Sequence, residues 1–205
     1  MKIGVDFDGV LYDSERYLRV KAELLDIENG GCGVVDRSHV CLEDAYGWSR
    51  AQVEDFLCKH LVDMQNKAPI LPFAKEVLQM LADEGHTFVG ITNRGMNAPG
   101  EKEATEARLA KDGFPIAKVV YNQKNKLQAC IDEQVDFMID DRFENLIPLA
   151  KNGIKCLYLR TMPLGELVCD NVTEVQNWGE IYRIIKCFDN KVNKKKQNMK
   201  KVDNI

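Results

Sequence analysis

Five short apolar runs, separated by segments of helical periodicity, constrain this chain more than any other feature. They lie at Lys2–Phe7, His86–Thr92, Lys118–Asn122, Val135–Ile139 and Ile154–Leu159. Each is compact and does not alternate cleanly, as in strands buried on both faces of a parallel sheet. Between them, LPFAKEVLQMLADEG carries Pro72 near its start and Gly85 at its end. EKEATEARLAKDG stops at Gly113 and ENLIPLAKNG at Gly153. Early proline and terminal glycine punctuate helices. WGEIYRIIKCF reads as a closing helix. This alternation predicts an α/β, Rossmann-like doubly wound parallel sheet.

Residues 14–69 break the rhythm. SERYLRVKAELLDIE and SRAQVEDFLCKHLVDMQ predict two amphipathic helices, the second with Ser49 and Gln52 as a capping box. A Gly-rich link, NGGCGVVDRSHVCLEDAYG, joins them. The expected organisation is an α/β core of residues 1–13 and 70–187, a small helical insertion of residues 14–69, and a basic tail of residues 188–205. The tail lacks apolar periodicity and predicts a frayed, solvated end.

Composition narrows the function classes. The chain carries a net charge of −4, yet residues 186–205 hold seven lysines against two aspartates. The remaining body is therefore strongly acidic, which argues against a nucleic-acid partner. No stretch is long and apolar enough to cross a membrane. The start, MKIGVDFDGV, lacks the apolar run of a signal peptide. Seven cysteines without a CxxC pair suit reduced thiols, so a cytoplasmic location is expected. His39, His60 and His86 lie far apart, offer no zinc cluster and read as structural or surface residues. Nothing in the sequence sets an oligomeric state.

The first strand ends in VDFDGVLYD, with two aspartates one residue apart. Crowding like charges is costly without compensation. In a strand, residues two apart face the same side. Asp6 and Asp8 therefore converge at the strand's carboxyl end, where doubly wound sheets bind ligands. Gly9 lets the chain turn away, and Asp13 is expected to cap the next helix or bond the nearby backbone. The second strand ends GITNRG, placing Thr92 at the same edge, and the fourth ends FMIDDRFEN, placing Asp140 and Asp141 there. Lys124 and Lys126 open a helix between them. Carboxylates at two strand ends suit a hard divalent cation such as Mg2+. The metal and a lysine would attract a phosphate.

Together, DFDGVL, the strand ending in Thr92, a lysine and IDD resemble the motifs of the haloacid dehalogenase-like hydrolase superfamily. The resemblance spans residues 1–185, with the insertion similar to that superfamily's cap and the chain most similar to its 5′-nucleotidase-like branch. It implies a Mg2+-dependent phosphomonoesterase acting on a small phosphorylated metabolite, with a nucleoside 5′-monophosphate favoured over a sugar phosphate. A non-catalytic phosphoryl-binding module is the alternative of another class. Asp6 is implied as nucleophile and Asp8 as acid and base, protonated while Asp6 is ionised. Thr92 and the Asn93 backbone are implied to bind phosphoryl oxygens. Lys126 is implied to neutralise them, with Lys124 as the competing choice. Asp6, the Asp8 carbonyl and Asp141 are the implied metal ligands, supported by Asp140 and Asn145. Arg94, Arg142 and Trp48 are candidates to face the substrate.

Overall fold

The computed structural model describes residues 1–36, 42–95, 98–160 and 168–202. His39 and Cys41 lie outside these residues. Six parallel strands form one sheet: β1 (Lys2–Val5), β2 (Thr87–Ile91), β3 (Ile116–Val120), β4 (Phe137–Asp140), β5 (Lys155–Leu159) and β6 (Val172–Val175). Their spatial order is β3-β2-β1-β4-β5-β6, so the first strand is central.

Alternate strand residues feed two cores, one on each face. Ile3, Val5, Phe88, Phe137 and Leu157 share one core with Leu78 and Leu81 of α4 (Ala74–Asp83). Ile181 and Ile185 of α8 (Trp178–Val202) pack on the same side. Val89, Ile91, Met138 and Cys156 face the other way, against Leu146 and Leu149 of α7 (Phe143–Lys151). Burial on both faces explains why these strands read as compact apolar runs. α5 (Glu101–Asp112) and the short α6 (Leu127–Asp132) complete the helices around the sheet.

Three helices are inserted between β1 and α4: α1 (Ser14–Glu28), α2 (Leu42–Tyr46) and α3 (Arg50–Lys67). The α3 capping box forms as the sequence predicts, with Ser49 accepting from the Gln52 backbone and the Gln52 side chain accepting from Ser49 N–H. Asp13 does occupy the α1 N-cap position, but its side chain makes no capping bond and pairs with Arg16 at 3.2 Å. The insertion has its own small core of Ala22, Tyr46, Trp48 and Phe56.

Two sequence expectations are corrected here. β6, sequence VTEV, was not foreseen, because a four-residue edge strand with two exposed residues carries almost no apolar signal. The closing helix continues past Cys187 to Val202. Lysine is a good helix former, and neither glycine nor proline interrupts residues 180–202.

Candidate active site

The pairing register brings the sequence motifs to one edge of the sheet. Val5 lies opposite Gly90 on β2 and Ile139 on β4. Asp6, Thr92 and Asp140 consequently sit at neighbouring strand ends. Asp6 N–H donates to the Ile139 carbonyl at 3.0 Å, and Thr92 N–H to the Val120 carbonyl at 3.1 Å. Beyond Asp6 the chain coils tightly, with Leu11 and Tyr12 N–H both donating to the Phe7 carbonyl. Gly9 takes a left-handed φ of 74° there. A Cβ on Gly9 would stand 2.0 Å from an Asp141 carboxylate oxygen, so only glycine fits.

Asp6, Asp8, Thr92, Asn93, Lys126 and Asp141 all open onto one cleft of about 490 Å³. Lys126 is buried and its ammonium lies 2.9 Å from Asp6 and 2.6 Å from Asp140. Lys124, by contrast, lines the cleft as an exposed side chain. Asp140 is fully buried and saturated: it also accepts from Arg142 N–H at 2.8 Å and from Asn145 Nδ2 at 3.1 Å. Asn145 therefore fixes Asp140, a supporting part consistent with its expected place. Thr92 Oγ accepts from Arg94 N–H at 3.2 Å, leaving its own hydrogen to donate into the cleft.

Asp6 and Asp8 occupy different environments, in the opposite sense to the sequence expectation. Burial raises the Asp6 carboxyl to about 6, with Asp140 and Asp8 adding repulsion and Lys126 opposing both. Burial also pushes Asp8 up, but the Arg94 guanidinium and the Ser14 hydroxyl overcome it and hold Asp8 below its ordinary value. Arg94 grips both Asp8 oxygens, Nε at 2.9 Å and Nη2 at 2.6 Å. It is only 2 % exposed and lies over the rings of Phe7 and Tyr12. Arg94 thus lines the cleft with its guanidinium held on Asp8. Its position after a strand-end threonine marked it as interesting, but its partner is 86 residues away in sequence.

Carboxylate oxygens of Asp6, Asp140 and Asp141 lie within 4.8 Å of one another. Burial, with Asp140 and Asp6 nearby, raises Asp141 well above its ordinary value. Three crowded carboxylates face the single lysine Lys126, so the group as built retains excess negative charge and fits a divalent cation. Asp8 directs its side chain to Arg94, which leaves only its backbone carbonyl available to such an ion.

Not every predicted residue reaches the site. Arg142 lines the cleft, but Trp48 does not. Trp48 stacks on Tyr46 at 5.0 Å, and its Nε1 donates to buried Asp26 at 2.8 Å. It belongs to the core of the insertion, where aromatic residues at helical spacing normally pack. Ser14, Glu15, Leu18, Leu61 and Met64 form the insertion's wall of the cleft and were not predicted. Only contact with the sheet edge singles them out, and no motif records it.

No protein-family model and no curated protein matches the sequence. Solved structures do match the fold. A haloacid dehalogenase-like family hydrolase from Streptococcus pneumoniae aligns over 90% of this chain and 97% of its own, at 14% identity and a TM-score of 0.64. A predicted phosphatase from Clostridium acetobutylicum covers the same shares at 16% identity and 0.63. A predicted phosphoglycolate phosphatase from Haemophilus somnus aligns over 89% and 96%, at 14% identity and 0.61. With near-complete coverage in both directions, this chain has the fold of the haloacid dehalogenase-like hydrolases.

Proposed function

We propose that this chain is a phosphomonoesterase that transfers the phosphoryl group of a small phosphorylated metabolite to Asp6 and then to water. The observation that carries the reading is Asp6 itself. It stands at the carboxyl end of the central strand, 7 % exposed, open to the cleft and 2.9 Å from the Lys126 ammonium. Thr92 and the Asn93 backbone border the same space and supply donors for phosphoryl oxygens.

Asp6 attacks phosphorus in line with the ester oxygen; the P–O bond to the leaving group breaks and an aspartyl phosphate forms. Water then attacks that phosphorus, releasing inorganic phosphate and restoring the Asp6 carboxylate. As a carboxylate held by Arg94, Asp8 is set to accept a proton from the attacking water. Protonating the leaving oxygen requires Asp8 first to take a proton and loosen from Arg94. Asp6, Asp141 and the Asp8 carbonyl would hold Mg2+, which when bound supplies charge neutralisation at the phosphoryl oxygens. The three inserted helices act as a cap that shields the aspartyl phosphate.

Trp48 is buried elsewhere, and among the described residues no aromatic ring lines the cleft. Base stacking therefore lends no support to a nucleotide over other small phosphate esters. The test is phosphate release from nucleoside monophosphates, sugar phosphates and an aryl phosphate, with Mg2+ or with chelator. Asp6→Asn is expected to abolish release while leaving the circular dichroism spectrum intact. Mg2+-dependent turnover surviving in that variant would remove Asp6 as the nucleophile.

A further inference from the structure

The cations around the cleft divide into two kinds. Lys126 and Arg94 are buried and matched, the first to Asp6 and Asp140 and the second to Asp8. Lys124 and Arg142 are exposed and line the same cleft. Among the described residues, neither of their side chains makes an ion pair or hydrogen bond. Glu15, on the insertion's wall, is already taken by Arg19 at 2.6 Å. Two positive charges therefore line the cleft with no side-chain partner among the described residues.

Both stand on fixed backbone. The loop carrying Lys124 is tied to the end of β2, with Asn122 N–H donating to the Arg94 carbonyl at 3.0 Å and Gln123 N–H to Thr92 at 2.9 Å. Arg142 N–H is pinned to Asp140. A further cavity of about 410 Å³, lined by Asn93, Asn122, Lys124 and Asn125, shares Asn93 and Lys124 with the cleft. Lys124 thus stands where the cleft continues into an amide-lined recess.

We propose that Lys124 and Arg142 form a second anion-binding subsite. The substrate is then a small phosphate ester whose leaving portion carries a further anionic group, a carboxylate or a second phosphate. This deepens the phosphatase reading and rests on it. The transferred phosphoryl group meets Lys126 and Thr92, and the second anion meets the unmatched cations. Leu18, Leu61 and Met64 give the same cleft an apolar wall for the carbon atoms of the ester. Charge-assisted hydrogen bonds make such an anion the favoured occupant of this rim.

Three matched esters test it: propyl phosphate, the same ester ending in a carboxylate, and the same ester ending in a second phosphate. Wild-type kcat/KM is expected to be at least tenfold higher for one or both doubly anionic esters, and which one wins names the group. In Lys124→Gln/Arg142→Gln, that ratio to propyl phosphate is expected to fall at least tenfold. No preference in the wild type, or an equal fall for all three esters, overturns the subsite. Calorimetry with the three corresponding phosphonates, which cannot be hydrolysed as esters, gives a readout independent of turnover. Absence of turnover together with a variant-sensitive preference among the phosphonates would sink the phosphatase reading and leave the subsite standing. Absence of both preferences would sink the subsite alone if propyl phosphate is still hydrolysed.

Discussion

Arg94 and Asp8 form a two-pronged ion pair, with the guanidinium buried against the faces of Phe7 and Tyr12 and the Asp8 side chain 37% exposed to the cleft. Removing Arg94 leaves Asp8 without its partner, and because Asp8 still meets solvent in the cleft the loss falls between that of a surface pair and that of a buried one, about 1–2 kcal/mol. Arg94→Met is therefore expected to lower unfolding stability at neutral pH by about 1–2 kcal/mol, read from urea titration. The sign with pH follows from the depressed Asp8 value. The pair's contribution is present above the ordinary aspartate value and disappears as pH falls through the lowered one. The gap between wild type and variant should close in acid, and a gap constant with pH would show that Arg94 acts only through packing. Gly9 is the other single-residue constraint. Gly9→Ala would push Asp141 aside, and a fall in Mg2+-dependent activity of about a hundredfold (about 2.7 kcal/mol) is expected. Activity within threefold of wild type would show that Asp141 is not a required ligand.

At the scale of elements, what the sequence discloses depends on how local the cause is. The α3 capping box and the glycine stops are legible because three or four adjacent residues determine them. Asp6, Thr92 and Asp141 are legible because each ends a recognisable strand. The partner of Arg94 and the burial of Trp48 are not, since both depend on segments brought together only by tertiary packing. Trp48 holds Asp26, which also accepts from Gly33 N–H at 2.8 Å and so closes the turn after α1. Trp48→Phe is expected to cost about 1–2 kcal/mol for the lost buried hydrogen bond. KM for a small phosphate ester should stay within twofold, and a large rise would return Trp48 to the substrate. α3 is moored to the core through Gln65, whose amide donates to Glu101 at 2.8 Å, while Glu101 also accepts from Gly95 N–H at 2.7 Å. The insertion and the loop after β2 are thus linked by one buried carboxylate.

For the whole molecule, the crowded carboxylates couple stability to pH and to cations. The folded values of Asp6 and Asp141 are raised, so without metal the fold is favoured while they are protonated and loses stability as pH rises, for Asp6 through about 6. A divalent ion bound only by the folded state should reverse this loss. Mg2+ is expected to raise Tm more at about pH 7.5 than at about pH 5, and least in Asp141→Asn. Equal gains at both pH values would place the ion elsewhere. The parallel order with β1 in the centre has a consequence for how the protein folds. Asp6 precedes its counter-charge on Lys126 and the carboxylate pair at the end of β4 by more than a hundred residues. On the proposed mechanism, a chain in which β4 has not yet docked carries Asp6 without the groups it needs. The proposed phosphate release is therefore expected only once β4 has docked beside β1, so during refolding it would report assembly of the centre of the sheet.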